Sequence, residues 1–598
     1  MDNSPKLGPY VKAFRVVLLL LFLVLAIRLW YLQSVKNQAY LRLAQLNAAH
    51  TMPVIAPRGI IYDRYGKVLV GNRAVFSAYL VQSEIRDREH LLNRASSLLK
   101  VPKEHLLKVL KAKKARPFDP ILVKDDLSLE TVARIEEQKL QLSGLIVNTK
   151  PVRVYPGKSL AAHVLGYIGE VTAQDIERSG SLNIRSGDLI GKTGVEKIYD
   201  QYLRGINGGQ RMAIESYGKP TSIRGYSDSQ PGKNLTLTID LDLQKACEAS
   251  LGQKPGAVIV IDPNNGQVLA LASYPNYDPN IFSLPVDPKV WSALQKRAQP
   301  FLNRGIAAYP AGSVFKSVTL SAALEKGFSS VPEVFNCPGF YKLGARTAKC
   351  WKTSGHGRLS LLEGLVQSCN VVFYGLGKEI GPEILRDFAS SYGLGHKTGI
   401  DLPAEAAGLV PDPQWKKRVL KEPWYLGDSI NYGIGQGFLW VTPIQIANLY
   451  ASIANGKDRF EPHLILSIRD REGQEEFSYK PKVIGSVPVS DKNLSHIRRA
   501  LREVVSRGTG RFAEIASFEA AGKTGTAENP AGAAHAWFVC YAPYKEPRIA
   551  VAAFVEHGGH GNTVTAQIAK EVLNWYHKYR VKGEKEKEDA GKKNNPLS

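Results

Sequence analysis

A serine and a lysine three residues apart, Ser313 and Lys316, form the first pattern in the sequence whose residue types could do chemistry. They follow Pro310-Ala311-Gly312 and open a helix-compatible run that stops at Gly327, which predicts a helix with the serine at its N-terminus. Residues three apart lie on one helix face, so the amine can reach the hydroxyl. A neutral lysine could take the hydroxyl proton and create a nucleophile for covalent catalysis. Taken alone, a serine at such a position is usually a helix cap.

Two later patterns could complete such a site. Ser368-Cys369-Asn370 precedes an apolar aromatic run, and Lys523-Thr524-Gly525-Thr526 follows a glycine. Small residues in a strand let a ligand approach the backbone closely, and Lys523 could hold a carboxylate while its charge lowers the pKa of Lys316. Each pattern alone occurs by chance, and the simple interpretation of the second is a surface turn. In this order, the three patterns form the set found in β-lactamases and penicillin-binding proteins.

The sequence resembles the class B penicillin-binding proteins, most closely the elongation-type penicillin-binding protein 2 group. The resemblance runs from the N-terminal apolar segment to about residue 578. Glu528 stands where this group usually has glutamine and Cys540 where it usually has glycine, which leaves fine substrate preference open. Besides the three patterns, the resemblance rests on Arg58-Gly59, Asp63-Arg64, Gly66, Tyr155-Pro156, His163, Gly166-Tyr167, Gly191 to Glu196, Cys350-Trp351, Gly355-His356-Gly357, His535 to Phe538 and Glu556 to Gly561.

The resemblance implies a peptidoglycan D,D-transpeptidase that cross-links stem peptides during cell elongation and is inhibited by β-lactams. Its serine would form an acyl-enzyme with the penultimate D-alanine, and an amine of a neighbouring stem peptide would resolve it. This chemistry requires no cofactor. The implied catalytic residues are Ser313, Lys316, Ser368, Asn370 and Lys523, and the implied carboxylate-binding residues are Thr524, Gly525 and Thr526. The backbone N–H groups of Ser313 and Thr526 would hold the oxyanion.

Four residues within a short stretch, Cys337, Cys350, His356 and Cys369, could bind a metal. Three thiolates and one imidazole make a closed tetrahedral set for structural zinc. Cys337 and Cys350 could instead form a disulfide, or all the thiols could simply be buried. A zinc ion here would brace the segment that carries Ser368 and Asn370, since Cys369 lies between them, and it would not activate water.

One N-terminal segment decides the compartment. An unbroken apolar run from 16 to 27 extends to residue 32, long enough for one membrane-spanning helix. Lys6, Lys12 and Arg15 precede it, so the positive-inside rule predicts residues 1–15 in the cytoplasm and the catalytic region outside the bacterial inner membrane. A cleaved signal peptide is the alternative, but Arg28-Leu29-Trp30-Tyr31 replaces the small residues that a cleavage site needs.

The elements predict an α+β protein. We expect a tail at 1–15, an anchor at 16–32, a mixed pedestal domain at 33–240, a transpeptidase domain at 250–580 and a disordered tail at 581–598. A hairpin is predicted around residues 56–69 and helices over 84–145. Strands at 257–261, 268–272, 520–525, 535–542 and 548–555 surround a helical block, which predicts a helical cluster packed on an antiparallel sheet.

The net charge of +23 points to an anionic partner, and we favour membrane and cell wall because no nucleic-acid-binding motif is found. The resemblance implies a RodA-type SEDS glycosyltransferase and the elongation machinery as partners. A division-type relative, a β-lactamase or penicillin-binding receptor of the same fold, and a catalytically idle scaffold are the alternatives. Sequence leaves acceptor chemistry, drug affinity and oligomeric state open.

Overall fold

The computed structural model describes residues 8–36, 49–111, 120–179, 187–214, 220–328, 334–529 and 532–583. The chain forms two compact units, each made of several stretches. The smaller unit comprises residues 1–56, 74–151 and 205–230, and the larger comprises 57–73, 152–204 and 231–598. This division differs from the contiguous domain bounds predicted from the sequence, which remain a prediction.

The N-terminal segment is one long helix. An α-helix covers Gly8–Trp30 and continues as a π-helical turn over Tyr31–Val35. The stretch Ala13–Ser34 is long and apolar enough to cross a membrane, and its apolar window is entirely exposed. The predicted anchor at 16–32 lies within this helix, which fits a single-pass membrane anchor.

The remainder of the smaller unit has its own apolar core. Leu91, Leu92, Leu99 and Leu106 are fully buried in it. The prediction of helices throughout 84–145 is wrong at one place, because a strand covers Pro120–Leu127 and pairs with the second half of Val68–Val81. Its β-branched Ile121 and Val123 suit a pairing surface that only the fold supplies. The helices are Arg88–Leu99, Lys103–Lys111 and Leu129–Glu137. The strands within the unit are Ala49–Val54, Pro120–Leu127, Gly208–Ile214 and Pro220–Ser227, and the strand Leu145–Val154 begins in this unit.

The larger unit is built on a five-stranded antiparallel sheet. Its spatial order is Val268–Tyr274, Gly256–Ile261, Ile549–Val555, Gly532–Ala542 and Ala521–Asn529, so the two ends of the unit's sequence meet in one sheet. Every residue of Gly256–Ile261 and Ile549–Val555 is buried. These strands therefore read as continuous apolar runs rather than alternating ones, because both sheet faces are covered.

The two faces of the sheet pack against different helices. Val258 and Val260 face a core shared with Leu243 and Leu573, while Ile259 and Ile261 face the larger core that contains Phe315. Leu243 and Leu573 belong to the helices Leu241–Leu251 and Val564–Tyr576, which cover the first of these faces. The expected antiparallel sheet with a helical cluster is confirmed, and the structure adds this second helical layer, which makes three layers.

Further elements of the larger unit surround this framework. The predicted hairpin near residues 56–69 is confirmed by the pairing of Ile61 with Val70. The predicted tail from 581 begins within the π-helical turn His577–Lys582, and residues 584–598 lie outside the described part. Other helices are Ala162–Leu165, Ala173–Ser179, Gly194–Ile198, Asp200–Leu203, Pro288–Gln295, Lys316–Glu325, Leu361–Val366, Asn370–Ile380, Pro382–Ser391, Pro413–Val419, Leu426–Gly433, Pro443–Asn455 and Asp491–Ser506. Other strands are Ile61–Tyr62, Ile168–Glu170, Leu189–Gly191, Asn234–Leu237, Tyr309–Pro310, Val334–Cys337, Phe340–Leu343, Arg346–Lys349, Gly357–Ser360, Trp440–Val441, Asp458–Phe460, Ile465–Arg469, Glu475–Ser478 and Val483–Ser486.

A buried charge cluster joins residues 57–73 to residues 152–204 within the larger unit. Glu196 is fully buried and binds Arg153 at 2.6 Å and Arg58 at 2.7 Å. Arg153 also donates to the carbonyl of Gly59 at 2.7 Å. A buried carboxylate is tolerated only when it is paired, so this cluster fixes the two segments against each other.

Candidate active site

Ser313 lies at the start of a helix that the surrounding backbone holds firmly. A 3₁₀ turn over Gly312–Phe315 leads directly into the α-helix Lys316–Glu325. Gly312 has φ of +58°, and a Cβ there would lie 2.6 Å from the carbonyl oxygen of Thr526. Its N–H donates to the carbonyl of Gly435 at 2.8 Å. Glycine is therefore required beside the serine, and it brings the serine turn against the Lys523 strand.

Lys316 is fully buried, and its amine contacts the Ser368-Cys369-Asn370 segment. Its Nζ donates to the carbonyl of Ser368 and to Oδ1 of Asn370, each at 2.8 Å, and lies 3.4 Å from Oγ of Ser368. Burial lowers the pKa of Lys316 to about 7. The amine is thus held where a substantial fraction is neutral at physiological pH, which a general base requires.

The Ser368 segment lies between two helices, Leu361–Val366 and Asn370–Ile380. Ser368 has φ of +52°, in the left-handed region that a serine rarely adopts. Such strain persists only where neighbouring contacts fix the backbone, and it is common at functional sites. The strained conformation presents both the carbonyl and the hydroxyl of Ser368 to Lys316.

Lys523 completes a chain of polar contacts from the edge strand of the sheet. Its Nζ donates to Oγ of Ser368 at 2.8 Å and to the carbonyl of Thr524 at 3.0 Å. Lys523 is fully buried, and burial followed by the charge of Lys316 holds its pKa well below the usual value. The Ser368 hydroxyl therefore lies between two buried amines.

The structure brings Lys316, Ser368, Asn370 and Lys523 into one hydrogen-bonded group, but it places the serine and lysine of the first pattern differently from the simplest expectation. Among the described residues, none forms a hydrogen bond with Oγ of Ser313. Lys316 instead bonds to the second pattern. Catalytic hydrogen bonds often form only when substrate binds, so a general-base role of Lys316 does not require a Ser313–Lys316 hydrogen bond before then.

The expected carboxylate-binding residues line the same strand, Ala521–Asn529. Oγ1 of Thr524 lies 2.8 Å from Oγ1 of Thr509, and Oγ1 of Thr526 accepts from the N–H of Gly561 at 3.5 Å. A Cβ on Gly525 would lie 2.9 Å from the side chain of Val314, so the strand packs closely on the serine turn. This strand and the Ser313 turn are therefore two sides of one site.

Sequence reasoning missed one contributor to the site. Gln436 donates from Nε2 to the carbonyl of Thr526 at 3.5 Å, and the neighbouring Gly435 accepts from Gly312. The glycine-rich run Tyr432-Gly433-Ile434-Gly435-Gln436-Gly437 was the available signal, because such runs mark close backbone approaches.

The four predicted metal-binding residues lie together beside this site. The candidate ligand atoms of Cys337, Cys350, His356 and Cys369 all lie within 4.8 Å of one another. Nδ1 of His356 is 3.5 Å from Sγ of Cys337 and 3.6 Å from Sγ of Cys350. All five cysteines are free thiols, so the structure has no disulfide between Cys337 and Cys350, the alternative that the sequence left open.

Comparison with known proteins matches the N-terminal and the C-terminal parts of the chain to domains of penicillin-binding proteins. Residues 256–574 match the penicillin binding protein transpeptidase domain, and residues 53–237 match the penicillin-binding protein dimerisation domain. The peptidoglycan D,D-transpeptidase MrdA of Acinetobacter baumannii is 31% identical over 94% of this chain and 86% of its own length.

Solved structures agree with these sequence matches. The penicillin-binding protein PBP2 of Helicobacter pylori, solved in complex with MreC, has 29% identity and a TM-score of 0.79, covering 89% of this chain and 100% of its own. A chain of a peptidoglycan synthase complex, solved in work on the structural coordination of polymerization and crosslinking, has 29% identity and a TM-score of 0.70. The match covers 95% of this chain and 98% of that chain.

Proposed function

Because this chain belongs to the penicillin-binding proteins and is a peptidoglycan D,D-transpeptidase of the elongation type, we propose that Ser313 carries its acyl-enzyme. The observation that best supports this assignment is the contact chain from Lys316 through Ser368 to Lys523 beside the serine turn. Ser313 carries the partly exposed hydroxyl beside these contacts, whereas Ser368 is only 6% exposed.

Acylation then follows from the roles of these residues. Neutral Lys316 accepts the proton of the Ser313 hydroxyl, and Oγ attacks the carbonyl carbon of the penultimate D-alanine. The bond to the terminal D-alanine nitrogen breaks, and Ser368 relays the proton held by Lys316 to that leaving amine, so that Lys316 is neutral again. The N–H groups of Ser313 and Thr526 stabilise the oxyanion, a contribution of roughly 3–4 kcal/mol per donor in comparable sites.

Deacylation makes the cross-link. An amine from a neighbouring stem peptide attacks the ester carbonyl, a new C–N bond forms, and the bond to Oγ of Ser313 breaks. The amine proton returns through Lys316 to the serine oxygen, which restores the starting state. Asn370 holds the donor peptide backbone beside Lys316.

Lys523 binds the terminal carboxylate of the donor together with Thr524, Gly525 and Thr526. No carboxylate among the described residues hydrogen-bonds to Lys523, so the donor carboxylate meets no competing anion there, and its charge favours the protonated form of the Lys523 amine. β-Lactams carry a carboxylate beside a reactive carbonyl and therefore acylate the same serine.

A direct test is to locate the adduct. We expect wild-type protein treated with penicillin to gain the mass of one intact penicillin, and the modified peptide after digestion to contain Ser313. Heat-denatured protein treated identically is the control, since acylation depends on the folded site. An adduct on another residue, or none on the folded protein, would refute the assignment.

The Cys337, Cys350, His356 and Cys369 cluster fits a structural zinc ion. A tetrahedral zinc with bonds of about 2.3 Å to sulfur and about 2.05 Å to nitrogen places sulfur and nitrogen roughly 3.5 Å apart. The sulfur-to-nitrogen distances of 3.5 and 3.6 Å around His356 match this value. The ion would be closed to water and would brace the strained Ser368 through Cys369.

Metal analysis of purified protein is expected to give about one zinc per chain. Cys350→Ser should lose it and lower the melting temperature, whereas Cys247→Ser should keep it, because Cys247 is a buried thiol in a different core. Wild-type protein with no metal, or with oxidised cluster thiols, would contradict the zinc proposal.

The anchor and the relatives support an assignment of place and partners. The N-terminal residues would lie in the cytoplasm and the larger unit in the periplasm, since basic residues precede the apolar helix. A RodA-type SEDS glycosyltransferase in the same membrane would make the glycan strands that this chain cross-links. The relative solved in complex with MreC and the relative from a peptidoglycan synthase complex support such assembly.

A further inference from the structure

Glu556 follows the central strand Ile549–Val555 and contacts the segment that leads to Ser313. Its Oε1 lies 3.0 Å from Nε of Arg304 and accepts a hydrogen bond of 2.9 Å from the hydroxyl of Tyr309. The side chains of Arg304 and Glu556 are only 3% and 17% exposed. The acyl-transfer mechanism described above uses none of these three residues.

Tyr309 connects this ion pair to the serine turn. Its ring lies 4.2 Å from that of Phe554, and its backbone pairs with Val441. The next residue, Pro310, accepts a hydrogen bond of 3.1 Å from Nε1 of Trp537. The backbone four residues before Ser313 is therefore fixed by its side chain, its strand pairing and the sheet beneath it.

Glu556 also opens the loop that reaches the other side of the site. Residues 557–561 follow it, and the N–H of Gly561 donates to Oγ1 of Thr526 at 3.5 Å. A Cβ on Gly561 would lie 2.2 Å from the carbonyl oxygens of Gly525 and Trp537, so the loop rests directly on the Lys523 strand. One carboxylate thus joins the serine turn to the loop that contacts Thr526.

We propose that Glu556 is a positioning residue for the oxyanion hole and that, with Arg304 and Tyr309, it fixes the spacing of the Ser313 and Thr526 N–H groups. The inference rests on the proposed acyl-enzyme. Donors of this kind act only when they lie within about half an ångström of the productive position. The hydrogen bond from the Tyr309 hydroxyl fixes the Glu556 carboxylate, and Arg304 lies within ion-pair distance of the same oxygen, so this carboxylate can hold the two segments in register.

Two variants test this role through the acylation step. Glu556→Gln removes the charge, and Tyr309→Phe removes only the hydroxyl and leaves the ion pair in place. We expect the first-order acylation constant with fluorescent penicillin to fall about tenfold in each, less than for loss of an oxyanion donor itself. The dissociation constant of the non-covalent complex should stay unchanged. The acylation constant of the double variant should be no lower than that of the slower single variant, because the two residues share one contact.

A matched control separates positioning from general stability. Asp240→Asn breaks another nearly buried ion pair, the one with Arg580, and should lower the melting temperature without changing the acylation constant. Acylation at the wild-type rate in both Glu556→Gln and Tyr309→Phe would overturn the positioning role. So would a loss of penicillin binding with acylation unchanged. If wild-type protein itself is not acylated, the proposed function fails instead, so the two failures are distinguishable.

Discussion

Ser313→Ala is expected to abolish covalent labelling by penicillin and to lower cross-linking activity by roughly ten-thousandfold or more. The substitution removes the one atom that forms the acyl bond and leaves the fold unchanged, since Oγ of Ser313 makes no hydrogen bond within the described residues. Ser368 does not replace it, because its hydroxyl is buried between Lys316 and Lys523 on a strained backbone. Gel fluorescence after labelling measures the effect.

Ser495→Ala provides the matched control for this experiment. Ser495 lies on the exposed face of the helix Asp491–Ser506, and its hydroxyl donates a local hydrogen bond to the carbonyl of Lys492. The control should label as wild type does, and both variants should melt within a few degrees of wild type. Labelling of Ser313→Ala at the wild-type level would exclude this serine as the nucleophile.

Local sequence patterns predicted the elements of the larger unit better than their assembly. The apolar runs at 257–261 and 548–555 are strands because they contain few breakers and many β-branched residues. The strand Pro120–Leu127 was missed because its short apolar stretch fits a helix equally well until a partner strand is known. Likewise, the second layer of helices follows from burial on both sheet faces, which no single strand reveals.

The same limit applies to the site. The order of the three patterns predicted that Ser313, Lys316 and Lys523 share a cleft. In the family that the sequence resembles, motifs in this order meet in one site, and local helix and strand propensities carry no such long-range information. The left-handed Ser368 and the contact of Gln436 with Thr526 depend on packing between distant segments. Strain of this kind violates local preference, so sequence reasoning is least informative at the residues that the fold constrains most.

Lys316 gives the second large effect and tests what kind of group the amine is. Lys316→Met keeps the shape and removes the amine, and we expect acylation to fall by roughly a hundredfold to ten-thousandfold. Its melting temperature should change little, because removing a buried amine that has no carboxylate partner among the described residues offsets the loss of the hydrogen bonds to Ser368 and Asn370. Lys326→Ala at the exposed end of the same helix is the control and should acylate normally.

The pH profile distinguishes a proton acceptor from a fixed positive charge. With the pKa of Lys316 lowered to about 7 by burial, the neutral amine dominates above pH 7 and is lost below it. The acylation rate of wild-type protein should therefore plateau at alkaline pH and fall about tenfold for each unit below 7. Lys316→Arg sharpens the test, since guanidinium stays charged throughout and cannot accept the proton. A flat wild-type profile, or an arginine variant with near-normal acylation, would show that the site needs only a cation. General-base catalysis by a desolvated lysine requires two results. The acylation rate of wild-type protein has its midpoint near pH 7, and acylation stays low in both Lys316→Arg and Lys316→Met.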